Sequence, residues 1–266
     1  MKADIYTIDG KKSGTADLPG VFAGSVRADL IKRAVLSDMS EDYQPKGNDP
    51  WAGMQTSARY RGRKEDFGSI KNHGISRLPR EVLPGGRFGK VKRIPSAVKG
   101  RRAHPPHVEK VIYESVNRKE YAKSIASAIA ATAKMEVVSK RGHKLPEGAK
   151  LPFIVEDKIE SVAKTKEMVK ALNAMGIGAD LQRARNTKLR TGVGARKGGR
   201  TKPKSALIVV GKDCAAIKSA KNIPGVDVRM ADGLKAVDLA PGTHAGRLTI
   251  YTQSAIKYIG EKFKGA

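Results

Sequence analysis

The run Ala206-Leu207-Ile208-Val209-Val210-Gly211 is the most strand-like stretch of this 266-residue chain. Between its ends lie only Leu, Ile and Val, and the β-branched ones are stiff at χ1 and pack well on a pleated surface. A strand with one wet face alternates apolar and polar residues. An unbroken apolar run has both faces covered, the usual state of a parallel strand with helices on either side. The neighbouring stretches agree. Gly225-Val226-Asp227-Val228-Arg229 reads as another strand, and Leu248-Thr249-Ile250-Tyr251-Thr252 as a third that leads into a final helix over residues 253–263. Upstream, Phe153-Ile154-Val155 is a short apolar strand. Residues 165–175 form a helix with Met168, Val169, Leu172 and Met175 on one face and Gly176 as its left-handed cap. Residues 234–239 read as a short helix or turn. Strand and helix in turn predict an α/β fold, a three-layer α/β/α domain with a mainly parallel sheet.

The first part of the chain joins that domain. Asp4-Ile5-Tyr6-Thr7-Ile8 reads as a strand ahead of the turn Asp9-Gly10, and residues 26–39 as a helix with Ser25 placed to cap it. Asn117-Arg118-Lys119-Glu120 has the form of a capping box, opening a helix over residues 118–134 with Tyr121, Ile125, Ala128, Ile129 and Thr132 on one face. Between these helices the pattern breaks down. Residues 44–106 hold no sustained period of 2 or 3.6 and are rich in Gly, Pro and Arg. Over residues 56–106 the cations are Arg59, Arg61, Arg63, Lys64, Lys71, Arg77, Arg80, Arg87, Lys90, Lys92, Arg93, Lys99, Arg101 and Arg102; the acids are Glu65, Asp66 and Glu81, a net charge of +11 in 51 residues. Apolar residues such as Trp51, Phe67, Ile70, Leu78 and Phe88 are spread through it, too thinly for a core of their own. Such a composition fits an irregular arm that orders against RNA. The expected organisation is therefore a globular domain from residues 1–43 and 107–266, with residues 44–106 inserted as an extended, RNA-penetrating arm. A second basic segment, residues 182–204, carries Arg183, Arg185, Lys188, Arg190, Arg196, Lys197, Arg200, Lys202 and Lys204 and no acid. It reads as a second RNA-contacting loop.

Charge narrows the function classes. Lys and Arg number 52 against 26 Asp and Glu, a formal charge of +26. A compact chain with that excess repels itself unless a polyanion is near, and nucleic acid rewards each phosphate contact by releasing counterions. A membrane surface is the rival polyanion. No run of 18 apolar residues exists to span a bilayer, and the long amphipathic helix is not basic enough to lie on one. One cysteine, Cys214, excludes an internal disulfide or thiolate zinc site and fits a reducing cytosol. The opening Met1-Lys2-Ala3-Asp4 has no signal-peptide character. With one Trp, five Phe and seven Tyr, rows of base-stacking rings are not expected.

Catalytic chemistry is not signalled. Gly192-Val193-Gly194 with Gly198 lacks dinucleotide-loop spacing, and no Walker-type loop is present. His73, His104, His107, His143 and His244 are scattered, and the close pair His104 and His107, with Pro105 and Pro106 between them, is followed by no Cys or acidic partner at metal-ligand spacing. No metal and no cofactor is expected. An RNA-modifying enzyme with a basic arm is the leading alternative, and it would need a pocket of perturbed ionisable groups. A chromatin protein is the other, without a recognisable helix-turn-helix or zinc module.

Gln55-Thr56-Ser57-Ala58-Arg59-Tyr60-Arg61-Gly62-Arg63 and Lys99-Gly100-Arg101-Arg102-Ala103-His104-Pro105-Pro106 look like the two ends of a long basic loop. Together with Asn117-Arg118-Lys119-Glu120, Ser127-Ala128-Ile129-Ala130-Ala131-Thr132, Arg200-Thr201-Lys202-Pro203-Lys204-Ser205, Leu239-Ala240-Pro241-Gly242 and Gly246-Arg247-Leu248-Thr249, they resemble the archaeal ribosomal large-subunit protein four family across nearly the whole chain. The order and spacing of these motifs carry the resemblance more than any one of them. It departs from the family at Phe67-Gly68-Ser69-Ile70-Lys71-Asn72-His73-Gly74, where the middle glycines of a Gly-rich, Arg-containing tip are missing. The resemblance implies a structural, non-catalytic constituent of the cytoplasmic ribosome, bound to large-subunit rRNA. The arm would help wall the peptide exit tunnel, with Phe67, Gly68, Lys71, Asn72 and His73 at its tip. Implied partners are that rRNA and neighbouring proteins including large-subunit protein twenty-two, with no membrane and no homo-oligomer.

Overall fold

A computed structural model describes residues 1–65, 67–146 and 148–264. The chain divides into two compact units. One is Met1–Asp42 with Tyr113–Ala266; the other is Tyr43–Ile112.

The larger unit is built on six strands. In chain order these are β1 (Lys2–Tyr6), β2 (Lys12–Asp17), and, beyond the second unit, Phe153–Val155, Leu207–Val210, Asp227–Met230 and Thr249–Thr252. The second unit contributes β3 (Arg80–Val82) and β4 (Phe88–Val91), so Phe153–Val155 is β5. Two-residue strands at Lys188–Leu189 and Arg200–Thr201 are β6 and β7, and the last three sheet strands are β8, β9 and β10 in turn. The large sheet runs β2-β1-β5-β10-β8-β9. Only the β1–β2 edge is antiparallel; the remaining pairs are parallel, with Ile250 opposite Ile208 and Ile208 opposite Val228.

The helices are α1 (Ala28–Glu41), α2 (Arg118–Ala133), α3 (Met135–Lys140), α4 (Thr165–Ala174), α5 (Gly178–Arg185), α6 (Val193–Arg196), α7 (Ala215–Lys221), α8 (Ala236–Leu239) and α9 (Gln253–Lys262). Strand β8 shows why both sheet faces are covered. Leu207 and Val209 enter one core with Ile31, Ile129, Leu239 and Ile256 from α1, α2, α8 and α9. Ile208 and Val210 enter a second core with Val138, Leu172, Leu181 and Ala220 from α3, α4, α5 and α7. The period-2 alternation of a strand thus feeds two separate apolar layers. Each fully buried Leu or Ile contributes roughly 1.5–3 kcal/mol by leaving water. The mainly parallel α/β sheet expected from the sequence is present.

Local signals fared less evenly. Gly176 does adopt positive φ (81°) after α4. Ser25 does not cap α1. The N-cap is Arg27, whose N–H donates to Ser127 Oγ (2.6 Å), while that hydroxyl donates to the Ser25 carbonyl (3.0 Å). A tertiary bond to α2 replaces the local cap. Asn117 holds the N-cap position of α2 without a side-chain cap bond, and Glu120 faces Arg33 (3.4 Å) instead of reaching back. The acids ahead of α4 serve other elements. Asp157 Oδ1 accepts from the Ser254 N–H (2.9 Å) at the start of α9, and Glu160 Oε1 accepts from Gly211 N–H, Thr252 Oγ1 and Ser254 Oγ.

The N-terminal ends of β8, β9 and β10 are clasped by one residue. Arg247, 1% exposed, donates Nε to the Ser205 carbonyl (3.0 Å), Nη1 to the Asp238 carbonyl (2.9 Å) and Nη2 to the Gly225 carbonyl (3.3 Å), and pairs with the Asp227 carboxylate (2.5 Å). Beside it, His143 Nε2 accepts the Leu248 N–H (3.3 Å), which leaves Nδ1 to donate to Asp180 Oδ2 (3.1 Å). Asp180 also accepts from Lys144 N–H, Arg183 Nε and Ser205 Oγ. Burial pushes the Asp180 carboxyl up, but the bonds from His143, Arg183 and Ser205 outweigh it and hold it below the usual carboxylate range.

Candidate nucleic-acid interface

The segment without a sequence period has regular backbone bonding of its own. Strands β3 and β4 form an antiparallel hairpin, and Arg59 adds a third edge through paired bonds with Arg80 (Arg59 N–H to O 3.2 Å, Arg80 N–H to O 3.3 Å). Ile70 N–H donates to the Arg61 carbonyl (3.0 Å), bringing the 67–73 turn back onto this patch. Ala58 and Ile70 are buried there, Ile70 at 2% exposure. Strands of three and four residues are too short to leave a hydrophobic period in the sequence.

The glycines are spent largely inside the unit. A Cβ on Gly100 would collide with the Ile94 carbonyl oxygen, and one on Gly89 would lie 2.8 Å from Glu81 Cβ across the hairpin. Gly74 and Gly85, at φ 68° and 72° with open space around them, leave room for close approach by another molecule.

The cations of residues 59–102 fall into two sets. Arg61, Arg80, Lys92 and Arg93 are half-buried and point inward. Arg61 Nη1 donates to the Phe67 carbonyl (3.1 Å), Arg80 Nη2 to Ser76 Oγ (2.7 Å), Arg93 Nη1 to the Ala58 carbonyl (3.1 Å) and Lys92 Nζ to the Val98 carbonyl (3.5 Å). The Nε atoms of the three arginines are shut off from water. These side chains hold the unit's own fold. Arg59, Arg63, Lys64, Lys71, Arg77, Arg87, Lys90, Lys99, Arg101 and Arg102 are exposed. Every ion pair formed among the described residues lies in the larger unit. The exposed ten therefore keep their charge and their donors for an outside anion, and a guanidinium fork matches a phosphate edge.

At the turn, Phe67 is 83% exposed and Lys71, Asn72 and His73 are also exposed. Gly68 and Asn72 take positive φ (71° and 62°), and the His73 ring packs at 5.6 Å from that of Phe88. The buried side chains of this turn are Ser69 and Ile70, and residues 71–74 are exposed.

Residues 182–204 are more ordered than a loop. They comprise the end of α5, the small β6–β7 hairpin (Lys188 opposite Thr201) and the single turn α6. Two of the cations are already engaged: Arg183 pairs with Asp180 (2.8 Å) and donates to the Lys204 carbonyl (2.7 Å), and Lys204 pairs with Asp227 (2.8 Å). Arg185, Arg190, Arg196, Lys197, Arg200 and Lys202 are exposed with no carboxylate partner among the described residues.

The larger unit does bring a serine, a histidine and an aspartate together at Ser205, His143 and Asp180, an arrangement separation in sequence concealed. It is a structural lock. Ser205 Oγ donates to Asp180 (2.6 Å) and not to the histidine, and His143 Nε2 is occupied by the Leu248 N–H, so no base is free to activate a nucleophile. No group of metal-ligating side chains is found among the described residues, and no described helix is long and apolar enough to cross a membrane.

An α/β unit whose buried Ser205–His143–Asp180 cluster is internally satisfied, together with surface cations in both units that lack a carboxylate partner among the described residues, has the make-up of a polyanion-binding protein. Residues 16–262 match the ribosomal protein L4/L1 family, and the chain belongs to that family. It is a structural ribosomal protein and not an enzyme. It is 46% identical over 265 residues to the large ribosomal subunit protein uL4 of Methanococcus maripaludis, covering 99% of this chain and 100% of that one. It is 47% identical over 266 residues to the protein of the same name in Methanocaldococcus jannaschii, covering 99% and 100%, and 44% identical over 263 residues to that of Archaeoglobus fulgidus, covering 98% and 99%.

Proposed function

We propose that this chain is a constituent of the large ribosomal subunit that binds large-subunit rRNA through the exposed cations of residues 43–112, and that residues 67–73 help line the nascent-peptide exit tunnel. The relatives' shared name supports the subunit. The observation that carries RNA binding is the set of ten exposed cations over residues 59–102 without a carboxylate partner among the described residues, on a unit folded by a different set of arginines. Phosphate contacts of this kind position a protein without reading sequence. Arg185, Arg190, Arg196, Lys197, Arg200 and Lys202 form a second contact area, and a neighbouring protein such as large-subunit protein twenty-two meets the tip. The setting is the cytoplasmic ribosome.

The tunnel assignment is tested by replacing Lys71 with a photo-reactive side chain in ribosomes stalled with a labelled nascent peptide. Crosslinks to the peptide from position 71, and none from position 257 on α9, are expected. Equal crosslinking from both positions, or none from position 71 in ribosomes that contain the protein, refutes it.

A further inference from the structure

The larger unit has a cleft of about 780 Å³ lined by Lys140, Arg141, Arg183 and Lys204 together with the turn around Thr243 and His244. No carboxylate lines it among the described residues. Behind it stands Arg247. Two carboxylates answer these five cations, Asp180 beneath Arg183 and Asp227 beneath Lys204 and Arg247, so three positive charges are left over.

Arg141 is the centre of the arrangement. Its Nη1 donates to the His244 carbonyl and its Nη2 to the Pro241 carbonyl (2.6 Å), and among the described residues it has no carboxylate partner. Those two bonds brace the turn on either side of Thr243, a β-branched residue at φ 72°. Burial, then the nearby charges of Arg247 and Arg183, push the Arg141 guanidinium down to about 10. A half-buried cation facing other cations is costly until an anion arrives. The volume falls in the range that takes a small ligand or a nucleotide-sized group.

We propose that this cleft is an RNA-binding site separate from residues 43–112, seating a backbone phosphate between Lys140, Arg141 and Lys204. The proposal rests on the reading of the chain as an rRNA-binding protein. The bracing of a strained turn by Arg141 gives the site a fixed shape, which a mobile surface lysine cluster lacks. Lys140 is exposed and closes the mouth as a point charge; Arg141 supplies directed N–H groups from the wall.

The test uses the full chain bound to purified large-subunit rRNA across a salt series. Lys140→Gln, an exposed position whose change spares the fold, should lower the slope of log K against log salt by about 1, the signature of one lost phosphate contact. Arg141→Lys, which retains charge but loses the fork, should weaken binding with the slope unchanged. A photo-reactive side chain at position 140 should crosslink to rRNA, as should one at position 87 in the other unit. Crosslinking from position 87 but not from 140, or a Lys140→Gln slope equal to that of the parent, overturns the cleft proposal while leaving the rRNA reading in place. Failure at both positions, with no binding by the parent chain, removes the rRNA reading and the cleft with it.

Discussion

Replacing Arg247 with methionine should remove the clasp that holds three parallel strands at their N-terminal ends. The guanidinium is buried and satisfies the carbonyls of Ser205, Gly225 and Asp238, besides neutralising Asp227. Methionine keeps much of the volume, so the cavity contribution is small. The loss is electrostatic: a half-buried carboxylate keeps Lys204 as its cation, and three carbonyls lose a donor. Breaking a buried pair from one side costs about 3–5 kcal/mol, and an orphaned buried acceptor about 1–3 kcal/mol, terms that overlap and do not add. We expect a net loss of about 3–5 kcal/mol. For a unit of roughly 200 residues that corresponds to a fall of roughly 6–20 °C in Tm. Far-UV circular dichroism of the full chain at fixed salt measures it. The single tryptophan, Trp51, lies in the other unit and reports separately on that part. A far-UV Tm within about 2 °C of the parent would refute the reasoning, because the clasp would then be redundant with backbone pairing.

Three further outcomes follow from the same structure. Changing Arg63, Arg101 and Arg102 together to glutamine should leave Tm unchanged and reduce the salt slope of rRNA binding by about 2–3, at about 0.7–0.9 per contact; a filter-binding series that shows no change in slope contradicts the assignment. Arg93→Gln should instead disturb the second unit, seen as altered Trp51 emission before any RNA is added. Asp180, held below the usual carboxylate range, contributes stability that is complete above the ordinary pKa of about 3.9 and drains away as pH falls through that value toward the folded one, because there the unfolded chain binds more protons. Asp180→Asn should therefore lower Tm at pH 7 and flatten the acid limb of the Tm profile; an acid limb as steep as the parent's would exclude Asp180 as its source.

What the sequence made legible follows from the range of each interaction. Strand β8 could be read because burial on both faces leaves a mark on six consecutive residues. The helices of the α/β unit were visible through their apolar faces, and Gly176 through the one local conformation that needs glycine. Arg247 sat within a quoted motif, yet its role depends on residues 9, 20, 22 and 42 positions away. The His143–Asp180–Ser205 lock is similarly assembled from three distant stretches. Ser25 and Asn117 misled because tertiary partners, Ser127 for one and Arg33 near Glu120 for the other, compete with the local cap. In the basic unit, charge was legible from composition alone. The division of labour was not: Arg61 and Arg63 look alike in sequence, and only the fold turns one toward the Phe67 carbonyl and leaves the other exposed.

The central claim is that the chain is a large-subunit component whose exposed cations bind rRNA, and sedimentation tests it most directly. Tagged full-length chain and a form lacking residues 56–104 are followed on sucrose gradients of cell lysate at moderate salt. The account predicts that the full chain runs with the large subunit at about one copy each, and that the shortened form is released at lower salt. A full chain that stays at the top of the gradient would contradict it.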